Sequence, residues 1–158
     1  MWLLLLGKVQ TLENLNARGM QLAPFCCLCV GSEESMGHLF LHCCFVDSVW
    51  ESVLSPLNGQ RPNLFNFLTV ESFLHAWPRV QGSVFVQKVW ELVPYVVIWS
   101  VWCARNDVIF KGKRRNAEQV RRETMAYLWN WLAVDEERGD HHFSDLILGW
   151  EAMVQGIG

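Results

Sequence analysis

Cys26-Cys27-Leu28-Cys29-Val30-Gly31-Ser32-Glu33-Glu34-Ser35-Met36-Gly37-His38-Leu39-Phe40-Leu41-His42-Cys43 concentrates thiols and imidazoles as no other stretch of this chain does. Counting Cys44, five cysteines and two histidines fall within nineteen residues. Four of them read as C-x2-C-x8-H-x4-C: Cys26 and Cys29 from one tight turn, His38 and Cys43 from the segment that follows. Thiolate and imidazole suit a borderline-soft, tetrahedral ion, so the spacing describes a closed Cys3His site for Zn2+. Gly31 and Gly37 loosen the backbone between the two ligand pairs.

Cys27, His42 and Cys44 compete for places in that set. In a regular helix His38 and His42 share a face, whereas Cys43 points roughly 140° away. Cys43 turns inward only if the helix carrying His38 ends near Leu41 and a new one starts after Cys44. The four-ligand set therefore predicts a helix break. Small buried cysteines are the bland alternative, against which the density of ligands argues. A disulfide framework would require an oxidising compartment.

Outward from this stretch the chain reads as mostly helical. Trp2 to Gly7 forms an apolar helix end; Thr11 caps a helix over Leu12 to Arg18, and Gly19 stops it. Glu33, Glu34 and Ser35 suit the start of the helix that carries His38. Phe45, Val49, Trp50 and Val53 recur at three- and four-residue intervals, which predicts an amphipathic helix ending before Pro56 and packing on the metal site. Residues 55–82, punctuated by Pro56, Gly59, Pro62, Pro78 and Gly82, read as a linker with one or two short helices. A long helix follows from Ser83 to Phe110, apolar on most sides, with a kink or boundary expected at Pro94, which lacks an amide proton. Asn116 caps a final amphipathic helix through Val120, Thr124, Tyr127, Leu128, Trp131 and Leu132, setting Arg121 and Arg122 on its outer side. Residues 139–158 read as a loosely ordered tail, where Asp140, His141 and His142 offer at most a weak metal site. The fold class is mainly α, a small zinc-knuckle helical domain followed by a helical extension. Its divisions are 2–57 for the zinc-binding domain, 58–82 for the linker, 83–134 for the extension and 135–158 for the tail.

Nine Trp and nine Phe against two Tyr in 158 residues exceed the aromatic content usual for a domain of this size, so some rings are expected to face a partner. A formal charge of −3 argues against a general polyanion binder; any nucleic-acid contact must rest on a local patch. Lys111, Lys113, Arg114 and Arg115, with Arg121 and Arg122 shortly after, form the best candidate for phosphate contact. A solvated basic loop is the competing reading. Trp99 and Trp102 beside Arg105 and Asn106 could stack on bases, but tryptophans three apart more often line a core, and the core reading is favoured. Met1 to Leu6 has no basic flank and is too short for a signal peptide. Val89 to Ala104 contains Glu91 and Pro94 and falls short of the roughly 20 residues that span a bilayer, so no membrane partner is expected.

Several motifs in a fixed order resemble the zinc-binding domain that follows the reverse transcriptase in plant non-LTR, LINE-type retrotransposons. These are the lead-in Trp2-Leu3-Leu4-Leu5-Leu6-Gly7-Lys8-Val9-Gln10-Thr11-Leu12-Glu13-Asn14-Leu15, then Arg18-Gly19, Cys26-x-x-Cys29, Glu34-Ser35, His38-Leu39-Phe40, Cys43 and Val49-Trp50. Farther on, Trp99-x-x-Trp102-x-x-Arg105-Asn106 with Phe110 resembles a segment that often follows the domain. The resemblance implies that Cys26, Cys29, His38 and Cys43 are the ligands of Zn2+. It further implies a shortened copy that begins inside the family's lead-in and is expected in the nucleus or cytoplasm. Nothing resembles a polymerase's paired aspartates, an endonuclease or a ribonuclease H carboxylate set, so no enzymatic activity is expected. Two functions follow from it. One is a module that holds RNA or single-stranded DNA near the polymerase; the other is a structural or protein-interaction remnant once docked on the reverse transcriptase. Hydrolytic zinc chemistry is disfavoured, because four protein ligands leave no open position for water.

Overall fold

α1 (Trp2–Leu5) ends ahead of Gly7, and Thr11 then starts α2 (Leu12–Ala17) by accepting from the Asn14 amide at 3.5 Å. The Asn14 side chain ties the two together, donating to the Gly7 and Val9 carbonyls at 2.8 Å each. Gly19, at φ 93°, takes the chain out of α2 through a conformation that side chains with a Cβ disfavour. The computed structural model describes residues 2–139 and 141–156; Met1, Asp140, Ile157 and Gly158 lie outside them. Among the described residues the protein is mainly helical and has no strand, only one antiparallel bridge between Phe25 and Glu33.

α3 (Cys44–Val53) buries Val49, Trp50 and Val53 as their spacing predicts, but the fourth buried position is Val46, and Phe45 is only half-buried. α4 (Val70–His75) starts from a reciprocal cap between Thr69 and Ser72. α5 (Val84–Lys111) starts from Ser83, whose hydroxyl accepts from the Val86 amide at 3.3 Å. α6 (Ala117–Trp131) starts from a reciprocal cap between Asn116 and Gln119 and buries Val120, Thr124, Met125 and Leu128. α6 packs on both α5 and α3.

α5 runs through Pro94 without a boundary. In that helix the missing Pro94 amide would have met the Trp90 carbonyl. The carbonyl is not left orphaned, because the Trp77 indole donates to it at 3.0 Å. The stretch over 55–82 thereby contributes to the core: Leu64, Val70 and Phe73 are buried, and Trp77 packs between Trp50, Phe73 and Trp90 with ring centroids 5.2–6.0 Å apart. α5 is the one helix among the described residues long and apolar enough to cross a membrane. Most of its apolar residues are buried in the fold, while Val84, Trp99, Ile109 and Phe110 are exposed.

The C-terminal stretch differs from its reading as a loose tail. α7 (Phe143–Leu148) and α8 (Trp150–Gln155) follow α6, which is therefore not the final helix. Leu146, Trp150 and Val154 lie four apart and are all buried. The Trp150 indole donates to the Val53 carbonyl at 2.8 Å, and Gln155 donates to the Pro56 carbonyl at 3.0 Å, seating α8 on the end of α3. Gly149 and the polar residues between the apolar positions obscure this stripe in the sequence. His141 stacks on Phe85 with centroids 4.2 Å apart; Asp140, the third member of the weak metal reading, lies outside the described residues. One apolar cluster runs from Leu4 to Val154 and includes Cys26, Leu39, Phe40, Leu41 and Cys43. The cysteine-rich stretch is thus continuous with the core of the helices.

Candidate metal centre

Two local structures bring the donors together. The first is a knuckle closed by backbone bonds: the Cys26 amide donates to the Ser32 carbonyl at 2.8 Å, Glu34 to Pro24 at 2.7 Å and Val30 to Cys26 at 2.8 Å. Its left-handed residue is Val30, at φ 60°, and not the adjacent Gly31. A β-branched residue in that region carries about 1–3 kcal/mol of strain, held by the surrounding bonds.

The second is the helix break. Ser35 Oγ accepts from the His38 amide at 3.0 Å, and the segment then widens into a π-turn over His38–His42. Its closing bond runs from the Cys43 amide to the His38 carbonyl at 2.8 Å, across five residues. A five-residue turn holds more residues per revolution than an α-turn, so Cys43 returns over His38 and is not rotated away from it. Cys43 then leaves helical geometry, at φ −66° and ψ 128°, and precedes α3 as its cap residue. The break falls between His42 and Cys44.

One donor atom from each of Cys26, Cys29, His38 and Cys43 lies within 4.8 Å of the other three. Cys26 Sγ stands 4.0 Å from Cys43 Sγ, and Cys29 Sγ stands 3.3 Å from His38 Nε2. Ligands about 2.0–2.3 Å from a tetrahedral centre stand about 3.5–3.8 Å apart, so three sulfurs and one imidazole nitrogen at these spacings fit such an ion. Cys26 and Cys43 are fully buried, while Cys29 and His38 are half-buried. The Cys43 thiol hydrogen-bonds Cys26 and, with help from the Cys29 and Leu28 amides against the cost of burial, lowers its pKa to about 5. The same bond and burial push the Cys43 thiol up, so the pair favours one thiolate and one thiol. The Val46 and Phe45 amides at the start of α3 act oppositely on Cys43 and favour its thiolate.

The competing ligands are turned elsewhere. His42 Nε2 lies 3.0 Å from the Phe67 carbonyl, and its ring stacks on Phe65. Cys27 Sγ faces the Arg105 carbonyl at 3.8 Å, and burial pushes its thiol up to about 11. Cys44 is exposed.

Glu34 does not act as a helix-start acid. It is buried and forms a two-pronged ion pair with the equally buried Arg105 of α5, Oε1 to Nη2 at 2.7 Å and Oε2 to Nε at 3.2 Å. Glu34 Oε1 also accepts from the Leu12 amide at 2.9 Å, satisfying the start of α2. Arg105 lies 5.1 Å over the Trp102 ring and donates to Asn106 at 3.1 Å. The knuckle, α2 and α5 meet at this pair. No sequence signal links partners 71 residues apart.

The basic stretch is largely engaged within the molecule. Lys111 pairs with Asp107 at 2.6 Å. Arg115 pairs with Asp107 and also with Glu123, which its Nε approaches at 2.7 Å off the hydrogen-bonding axis. Glu118 lies 3.7 Å from Arg121 and 3.1 Å from Arg122. Arg121 is more buried than its predicted outer position implies, whereas Arg122 is exposed. Arg114 is exposed and donates to the Cys27 carbonyl at 2.9 Å, and Lys113 is exposed with no ion pair among the described residues.

Fold and site together define a mainly helical protein with a Cys3His cluster near its N-terminus. Residues 1–50 match the family described as zinc-binding in reverse transcriptase, a span that contains all four donors. Comparison with curated proteins and with solved structures gives no match. The match supports a reverse-transcriptase zinc-binding domain, and with the Cys3His cluster it suggests a zinc ion.

Proposed function

We propose that this chain is a non-catalytic module in which Zn2+, held by Cys26, Cys29, His38 and Cys43, orders a helical platform that contacts RNA or DNA. The observation that carries the reading is the convergence of four soft donors in a span that matches the reverse-transcriptase family. With all four positions of a tetrahedral ion taken by protein, the ion is structural: it lends binding energy to folding and leaves no site for an activated water. The motifs shared with the domain of plant LINE-type elements, including Trp99-x-x-Trp102-x-x-Arg105-Asn106 beyond the matched span, support the same origin.

A second reading, a structural or protein-interaction piece without its own ligand, draws support from the ion pairs of Lys111, Arg115, Arg121 and Arg122. The deciding experiment titrates the zinc-loaded chain and a chelator-stripped chain with labelled single-stranded RNA and DNA at two salt concentrations. Binding by the loaded form, weakened by salt and lost on stripping, supports the module. Absence of binding by the loaded form at low salt leaves the structural piece.

A further inference from the structure

Five tryptophans, Trp50, Trp77, Trp90, Trp129 and Trp150, pair with other aromatic rings. Trp99, Trp102 and Trp131 make no such pair among the described residues, and all three open into one groove of about 920 Å³. The groove runs between the segment after α1, α5 and α6, over a floor that includes Phe40 and Ile98. Trp99 and Trp131 are 44% and 45% exposed, too open for core rings. Trp102 has one face under the Arg105 guanidinium. Tyr127 completes the wall, one turn before Trp131 on α6.

Charge says what the groove takes. Among the described residues the lining includes Lys8 and Arg18 and no acidic residue. Neither cation makes an ion pair among the described residues; Arg18 donates only to the Lys8 carbonyl, at 3.4 Å, which positions its guanidinium without neutralising it. An acidic chain that pairs Arg61, Lys88, Arg105, Lys111, Arg115, Arg121 and Arg122 with carboxylates leaves these two cations beside its unpaired rings. Unstacked aromatic faces flanked by free cations are the pattern that holds unpaired bases by stacking and their phosphates by charge. A docked apolar helix would use the rings but gives no account of the two cations.

We infer that this groove is a single-stranded nucleic-acid site, in which bases stack on Trp99 and Trp131 and phosphates meet Lys8 and Arg18. The inference rests on the nucleic-acid reading above and moves the contact away from the stretch Lys111 to Arg122.

The test uses the zinc-loaded full chain and fluorescein-labelled dT12 and U12, followed by anisotropy and tryptophan quenching across a salt series. Trp99→Ala and Trp131→Ala, with metal content and circular dichroism unchanged, should each weaken binding about tenfold. Lys8→Gln with Arg18→Gln should flatten the slope of log affinity against log salt by about 1.4, the value for two phosphate contacts on a single strand. Lys113→Gln with Arg114→Gln should leave affinity within twofold. Binding that survives the groove variants but falls with Lys113→Gln and Arg114→Gln would overturn the groove and keep the nucleic-acid module. Absence of binding by the unaltered chain would overturn both. Concentration-dependent self-association abolished by Trp131→Ala would instead assign the groove to a second copy of the chain and overturn the inference.

Discussion

Cys43 and His42 are adjacent, yet the π-turn aims one at the donor cluster and the other at the Phe67 carbonyl. Cys43→Ser should therefore reduce bound zinc from one ion per chain to near zero, while His42→Ala keeps it, as read by elemental mass spectrometry. Loss of metal in the His42 variant alone would refute the ligand set. Glu34 and Arg105 carry a different kind of consequence. Both are buried, so removing one partner strands the other's charge, and Glu34→Ala should cost about 3–5 kcal/mol in urea unfolding. A cost under about 1 kcal/mol, the level of an exposed pair, would mean that water reaches the site. The C-x2-C-x8-H-x4-C pattern was legible because ligand spacing is local. The role of Glu34 was not, because the charge that meets it arrives from α5.

At the level of elements, caps were the most readable feature. Thr11 and Asn116 each start the helix that follows, since a side-chain oxygen reaches an amide two or three residues on whatever the tertiary context. Pro94 was readable only in part: the lost amide is a property of the residue, but the indole that replaces it comes from Trp77. Trp77→Phe should leave the Trp90 carbonyl unsatisfied and lower stability by about 1–3 kcal/mol, checked by the urea midpoint against the unaltered chain. α7 and α8 were hidden because two six-residue helices hold little helical signal of their own and form by docking. Trp150→Ala removes a buried ring and its bond to Val53, and should cost about 3–5 kcal/mol with loss of protection in α8 by hydrogen exchange.

Across the whole molecule, metal and core are one structure. Leu39, Phe40, Leu41 and Cys43 belong to the apolar cluster that reaches Val154, and their turn contacts α3 and α5, so opening it exposes part of the shared core. Structural zinc binds with about 10–16 kcal/mol, which matches or exceeds the net stability of an ordinary domain. Chelation should accordingly lower the thermal midpoint of the entire chain and weaken its cooperativity, seen by circular dichroism at 222 nm and restored by adding zinc. An unchanged midpoint after verified metal removal would mean that the helices stand without the ion. Because the ligands bind the ion deprotonated, that midpoint should also fall as the pH is lowered through the range where imidazole and thiolate take up protons.

The sequence alone determined the donor-rich stretch with its candidate ligands, the starts of α2, α5 and α6, the amphipathic character of α3 and the mainly helical class, since each depends on interactions within about one or two turns of chain. Only the tertiary structure decided that Cys43 and not His42 faces the donors and that Glu34 binds Arg105. It also decided that Trp77 repairs Pro94, and that Trp99 and Trp131 stay open while Trp50, Trp77, Trp90 and Trp150 follow one another ring to ring. Those outcomes turn on which distant surfaces meet, and residue spacing along a chain does not encode the direction from which a partner arrives.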